Sequence, residues 1–172
     1  MRVGSRLIMV RDLAQYVSGL AGMLTARGER LATAESCTGG WVAKVCTDLA
    51  GSSDWFERGF VTYSNESKRD MLGVSDETLE IFGAVSEQTV LEMVSGALAR
   101  SHAQWALAIS GIAGPAGGSP DKPVGSVWFA WAGPDDWRCS RLYCFDGDRN
   151  AVRSQAVAIA LEVLVARCGE LK

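Results

Sequence analysis

The run Trp105-Ala106-Leu107-Ala108-Ile109-Ser110-Gly111-Ile112 is apolar almost without a break. A strand with no polar face has to be covered on both sides. The rest of the chain supplies the cover, because helical patterns lie both before and after it. A helix over about Asp12–Ala26 places Leu13, Tyr16, Val17, Leu20 and Leu24 at helical spacing and stops at Gly28, a residue type suited to a left-handed cap. A short buried strand over Arg30–Glu35 enters the segment Ser36-Cys37-Thr38-Gly39-Gly40, and a second helix follows from about Gly40 to Leu49. Phe56–Ser64 reads as a strand. Three helices with start signals come next: from Ser64 or Asn65 to Gly73, from Ser75 to Gly83, and from Ser86 to about Ser101. Val90, Met93, Val94, Ala97 and Leu98 form a core-facing stripe on the last of these. After the central strand come a Gly/Pro-rich loop over Ala113–Pro123, strands over Val124–Ala132 and Trp137–Phe145 that suit a hairpin, and a final helix from about Asp148. The pattern predicts a three-layer α/β/α sandwich around a sheet of about five strands. With 172 residues, a single domain over residues 11–172 is expected, preceded by a loose leader over residues 1–10.

Composition excludes several classes of function. A net charge of −3 and a pI near 5.2 disfavour a nucleic-acid binder driven by bulk charge. No run of 18 apolar residues is present, which excludes a membrane-spanning helix. Leu13–Leu24 follows three arginines, but Asp12, Gln15 and the helical spacing argue against a signal peptide. Five cysteines without a CxxC pair suit a reducing, cytoplasmic setting. The single histidine, His102, has no cysteine or histidine at ligand spacing, so no metal site is expected.

Functional residues of open α/β sheets collect where strands end at their carboxyl side. Four such places carry chemistry-bearing residues: Ser36 to Gly40, Tyr63 to Lys68, Ser110 to Pro115, and Gly147-Asp148-Arg149. The first has the form of a nucleophile turn. A hydroxyl residue leaves a strand, two glycines allow a tight bend, and the amides of Cys37, Thr38 and Gly39 face outward to bind phosphate or an oxyanion. Spacing alone equally allows Ser36 or Thr38 to be a plain helix cap. Lys44 does not complete a phosphate-binding P-loop.

A serine nucleophile needs a base. His102, at the end of a helix whose other positions read as packing, reads as a surface residue. An ordinary lysine has a pKa of about 10.4, and neutralising it at pH 7 costs about 4.6 kcal/mol, a shift that burial can supply. Lys44 lies about 12 Å along the helix from Ser36, out of reach. Lys68, in the first turn of the helix leaving the next strand, would fall beside Ser36, although the same position suits an exposed helix lysine. Tyr63 is placed to relay or position a proton. Arg149, with Arg153 one turn later, suits a phosphate clamp or a solvated helix charge. Cys37, beside the same turn, is a rival nucleophile if its thiol ionises.

Taken together, Thr33-Ala34-Glu35-Ser36-Cys37-Thr38-Gly39-Gly40, Gly59-Phe60-Val61-Thr62-Tyr63-Ser64-Asn65-Glu66, Gly83-Ala84-Val85-Ser86, Ser110-Gly111-Ile112-Ala113-Gly114-Pro115 and Gly147-Asp148-Arg149 resemble the nicotinamide-nucleotide amidase family, also known as the C-terminal domain of the competence-damage-inducible protein A family. The likeness runs from about Asp12 to Arg167 with the motifs in the family's order. It implies hydrolysis of the carboxamide of nicotinamide mononucleotide to nicotinic acid mononucleotide and ammonia, without a cofactor or metal. It implies a serine–lysine pair at Ser36 and Lys68, with Tyr63 as the family's tyrosine. It also implies the family's hydroxyl residue after the central strand at Ser110 and a phosphate-side arginine at Arg149, and substrate contacts are expected besides from the turn residues Cys37, Thr38, Gly39 and Gly40 and from Gly111. The position of Ser110 is threonine in some relatives. The resemblance further implies a homodimer and a stand-alone form of a domain that many relatives carry behind a larger one. The contrasting reading is a non-catalytic module that binds pyridine nucleotides or senses them in regulation, for which neither a nucleophile nor a buried base is needed.

Overall fold

The computed structural model describes Arg2–Val3 and residues 10–171, with side chains from Leu13. Of the expected leader, Arg2–Val3 forms a two-residue strand, β1, and Val10 opens the first helix, while Met1 and residues 4–9 lie outside the described residues. The order is β1 (Arg2–Val3), α1 (Val10–Arg27), β2 (Leu31–Glu35), α2 (Trp41–Thr47), a 3-10 turn (Ser52–Asp54), β3 (Phe56–Val61), α3 (Asn65–Leu72), α4 (Asp76–Phe82), α5 (Glu87–Ala99), β4 (Trp105–Gly111), β5 (Ser126–Ala132), β6 (Arg138–Phe145) and α6 (Arg149–Glu170).

The sheet runs β1-β6-β5-β4-β2-β3. Strands β3, β2 and β4 are parallel, and β5 is antiparallel to both β4 and β6, the latter pair forming the expected hairpin. The carboxyl ends of β2, β3, β4 and β6 therefore open on one edge of the sheet, and all four chemistry-bearing segments gather there.

The two faces differ in side-chain size. On one, Trp105, Leu107 and Ile109 of β4 and Val127, Phe129 and Trp131 of β5 pack beneath α1, α2 and α6. On the other, Ala106 and Ala108 of β4 with Ala130 and Ala132 of β5 lie against Val90, Met93, Val94 and Ala97 of α5. Alternation along each strand produces this division. The small alanine face lets α5 lie close to the sheet, and α5 in turn presses on α3. At Gly96 an added Cβ would stand 1.9 Å from the carbonyl oxygen of Leu72. Gly96→Ala is expected to destabilise the fold by about 1–3 kcal/mol or more through overpacking, read as a lowered midpoint in urea.

Local capping chemistry fixes the helix starts. Ser64, Ser75, Ser86 and Asp148 each accept a backbone N–H from three residues further on. Strand β3 is shorter than its pattern, ending at Val61, because the extended residue Ser64 is committed to capping α3. Strand β5 starts at Ser126 rather than Val124, because Gly125 turns at φ 95° and donates its N–H to Ile112. Among the described residues no helix is long and apolar enough to cross a membrane.

Candidate active site

Register brings the nucleophile and its neighbour together. In the β2–β3 pair Glu35 lies opposite Val61, and the N–H of Thr62 bonds the Glu35 carbonyl at 2.8 Å. The next residue of each strand end is thus Ser36 beside Thr62. Ser64 and Ser67 close a reciprocal capping box that starts α3. The first turn of that helix carries Lys68 back toward the strand end, where its Nζ stands 2.8 Å from the carbonyl oxygen of Thr62 and 3.0 Å from Ser36 Oγ.

Lys68 as a residue is only 1% exposed. Among the described residues no carboxylate forms an ion pair with it. Burial therefore disfavours its charged form and holds its pKa below the ordinary lysine value. At 3.0 Å an ammonium donates to the serine oxygen, whereas a neutral amine accepts the serine O–H. The carbonyl of Thr62 takes another amine N–H in either state and fixes the direction of the remaining lone pair.

The turn after Ser36 relies on two left-handed glycines, Gly39 at φ 62° and Gly40 at φ 90°, a conformation costly for residues with a Cβ. Its amides are not all available. The Ser36 N–H bonds the carbonyl of Ile109, and the Gly39 N–H bonds the carbonyl of Ser36. This corrects the expectation that the Gly39 amide faces outward. The amides of Cys37 and Thr38 have no partner among the described residues. The N-terminus of α2 is also occupied, since the buried carboxylate of Glu35 accepts the N–H groups of Val42 at 3.0 Å and Ala43 at 2.9 Å. From α6, Arg153 donates to the carbonyls of Cys37 at 3.0 Å and Thr38 at 2.9 Å. Sequence reading did not assign these two braces. Their signals were an acid ending an otherwise apolar strand and an arginine one helical turn beyond Arg149.

A cavity of about 210 Å³ opens at this edge and is lined by Ser36, Cys37, Tyr63, Lys68, Ala84, Val85, Ser110, Gly111, Ala113 and Arg149. Seven of the ten residues singled out from the sequence meet there. Thr38, Gly39 and Gly40 form the rest of the turn and do not line the cavity, and the Thr38 hydroxyl is buried without a partner among the described residues. Ser110 donates to the carbonyl of Ala84 at 2.7 Å, tying the end of β4 to the loop before α5. Arg149 donates to the carbonyl of Gly114 at 2.9 Å and to the hydroxyl of Tyr63 at 2.9 Å. Tyr63 is 60% exposed and its hydroxyl accepts from Arg149 rather than bonding Ser36 or Lys68 directly, which places it at the mouth of the cavity. Burial pushes the Cys37 thiol up to about 11, so it stays protonated at neutral pH, which counts against the thiolate alternative. His102 is exposed, and Lys44 pairs with Asp48.

The CinA C-terminal domain family matches residues 13–168. The chain is 60% identical over 153 residues to the nicotinamide-nucleotide amidohydrolase PncC of Escherichia coli K12, covering 89% of this chain and 93% of that protein. Among solved structures, a competence/damage inducible protein from Agrobacterium tumefaciens superposes with a TM-score of 0.88 at 47% identity, over 90% of this chain and 94% of its own. A competence damage-inducible protein A from Klebsiella pneumoniae gives a TM-score of 0.88 at 42% identity, over 93% and 99%.

Proposed function

The chain belongs to the CinA C-terminal domain family, and from that premise we propose that it is an amidohydrolase converting nicotinamide mononucleotide to nicotinic acid mononucleotide and ammonia. The observation that carries the reading is the 3.0 Å approach of a buried lysine amine, without an ion-pair partner among the described residues, to a serine hydroxyl lining the same cavity. That separation lies within the reach required of a general base.

Neutral Lys68 takes the proton of Ser36 as Oγ attacks the carboxamide carbon. The resulting oxyanion is received by amides of the Cys37–Thr38 turn. Collapse of the tetrahedral intermediate breaks the C–N bond, and the Lys68 ammonium returns its proton to the leaving nitrogen, which departs as ammonia. Water, deprotonated by the same amine, then attacks the acyl carbon and releases the acid, restoring Ser36. Arg149 grips the ribose phosphate with N–H groups not used by Gly114 and Tyr63, and Ser110 and Gly111 border the ring. No cofactor or metal takes part in this scheme, in which the small-molecule nucleotide is the substrate and neither nucleic acid nor a membrane has a role. A homodimer in a reducing cytoplasm completes the proposal; the five cysteines are free thiols, which suits that setting.

The test is ammonia release by the purified chain from nicotinamide mononucleotide, with free nicotinamide as control. Turnover of the nucleotide alone is expected, and tight binding without product would overturn the reading. Arg149→Met should raise KM for the nucleotide roughly tenfold or more, as expected for losing a charge-assisted contact. It should change turnover of the phosphate-free riboside little, and steady-state kinetics on both substrates reads the difference.

A further inference from the structure

We propose that Arg153 is a positioning residue of this site: from α6 it holds the carbonyl oxygens of Cys37 and Thr38, and so keeps the Thr38 N–H turned to receive the oxyanion formed when Ser36 attacks. The inference rests on the amidase reading and assigns its electrophilic stabilisation to a side chain that need not touch the substrate.

Of the four amides from Ser36 to Gly39, the first and last are consumed by the carbonyls of Ile109 and Ser36. The remaining free donors are those of Cys37 and Thr38. A trans peptide is planar, with its C=O and N–H pointing in opposite directions. Holding the Cys37 carbonyl on the α6 side therefore turns the Thr38 N–H the other way. The Arg153 guanidinium also carries a full charge onto that carbonyl, and a charge-assisted bond at one end of a peptide strengthens the donor at the other. Its Nε and Nη2 take successive carbonyls at 3.0 and 2.9 Å, a two-point grip that fixes the turn in orientation as well as position.

The clamp is itself held. The guanidinium lies over the Trp41 ring, 5.3 Å from its centroid, and is half-buried between α2 and α6. Among the described residues it enters no ion pair. Asp148 caps the first turn of α6, and Gln155 bonds the carbonyl of Asp146, so the helix start that carries Arg153 is anchored on both sides. Arg149, the arginine assigned to the phosphate, lines the cavity. Arg153 directs two of its donors to backbone carbonyls and is not among the cavity-lining residues.

The test compares Arg153→Ala and Arg153→Lys with the wild type, each checked for a cooperative thermal transition. Loss of an oxyanion donor typically lowers turnover about 10²-fold or more. In both variants kcat is expected to fall on that order while KM for nicotinamide mononucleotide stays within about threefold. Methylguanidinium should restore part of the lost kcat in Arg153→Ala and have no such effect on the wild type. The amide nitrogen resonances of Thr38 and Gly39, whose preceding carbonyls lose the Arg153 donors, should move upfield, that of Thr38 the more because the Thr38 carbonyl keeps the Trp41 N–H at 3.2 Å. A raised KM with kcat intact would make Arg153 a phosphate contact and overturn the proposal. Unchanged kcat per folded molecule would reduce it to a packing residue, and unmoved resonances would remove the clamp. Absence of ammonia release from the wild type would overturn the amidase reading itself, and the resonances would still report whether the carbonyls are held.

Discussion

Lys68→Met is expected to abolish ammonia release, with kcat falling on the order of 10⁴-fold, while the folded state is not weakened. Methionine approximates the length of the lysine stem and fills the same space between Ser36 and α3. It removes an amine whose charge is disfavoured in this pocket because burial penalises the ammonium. The sign of the pH dependence follows from linkage. The folded-state pKa of Lys68 lies below its unfolded value, so between the two the unfolded chain binds more protons and stability rises with pH. This stability is fully present above the unfolded lysine pKa of about 10.4 and is lost as pH falls through the folded value. The wild type should therefore gain on Lys68→Met as pH is raised through that window, and denaturant titrations at several pH values would read the convergence. Activity follows the same proton. Since only the neutral amine can accept the serine proton, kcat/KM should rise with pH and level off below the ordinary lysine pKa. A descending limb in that range would contradict the assignment.

Ser36→Ala should cause a comparable loss, on the order of 10⁴-fold or more, with substrate affinity little changed. The alanine removes only Oγ. It leaves the left-handed glycine turn, the Glu35 brace and the Arg153 contacts in place, because none of these involves the serine hydroxyl. Lys68 would keep its bond to the Thr62 carbonyl. Because nucleophile and base act as one unit, the double variant should be scarcely worse than either single one. Additive losses would mean that the two residues serve separate steps. Brief mixing of the wild type with the nucleotide followed by acid quench should trap the acyl ester of nicotinic acid mononucleotide, ribose phosphate included, on Ser36 by peptide mass spectrometry, and the alanine variant should give none. An adduct on Cys37 instead would move the chemistry to the thiol.

The three-layer architecture was legible because its signals are local or periodic. The apolar run of β4, the serine caps of α3, α4 and α5, and the Asp148 cap of α6 each lie within a few residues of the element they define. The meeting of Ser36 with Lys68 was inferred from strands adjacent in sequence being adjacent in space, and the β2–β3 register supplies that contact. What escaped the sequence depends on contacts between segments far apart in the chain. Glu35 reads as one more residue of a nucleophile motif, and only the fold shows it occupying the amides of α2. Arg153 looks like a second phosphate arginine until α6 is placed against the turn, 115 residues away from Thr38. Tyr63 sits beside the base in sequence, yet its hydroxyl bonds Arg149, 86 residues further along. The availability of a turn amide cannot be read from glycine spacing, because Gly39 closes its bond onto Ser36 within the same turn.

The central claim is that a lysine kept uncharged by burial activates the serine beside it. Its most direct measurement is the titration of the Lys68 side chain itself, followed through the Cε resonance of the wild-type protein and assigned by its disappearance in Lys68→Met. The account predicts a midpoint well below that of an exposed lysine and coincident with the rise of kcat/KM. A Lys68 that remains an ammonium up to the ordinary lysine range, while ammonia release proceeds at neutral pH, would contradict it.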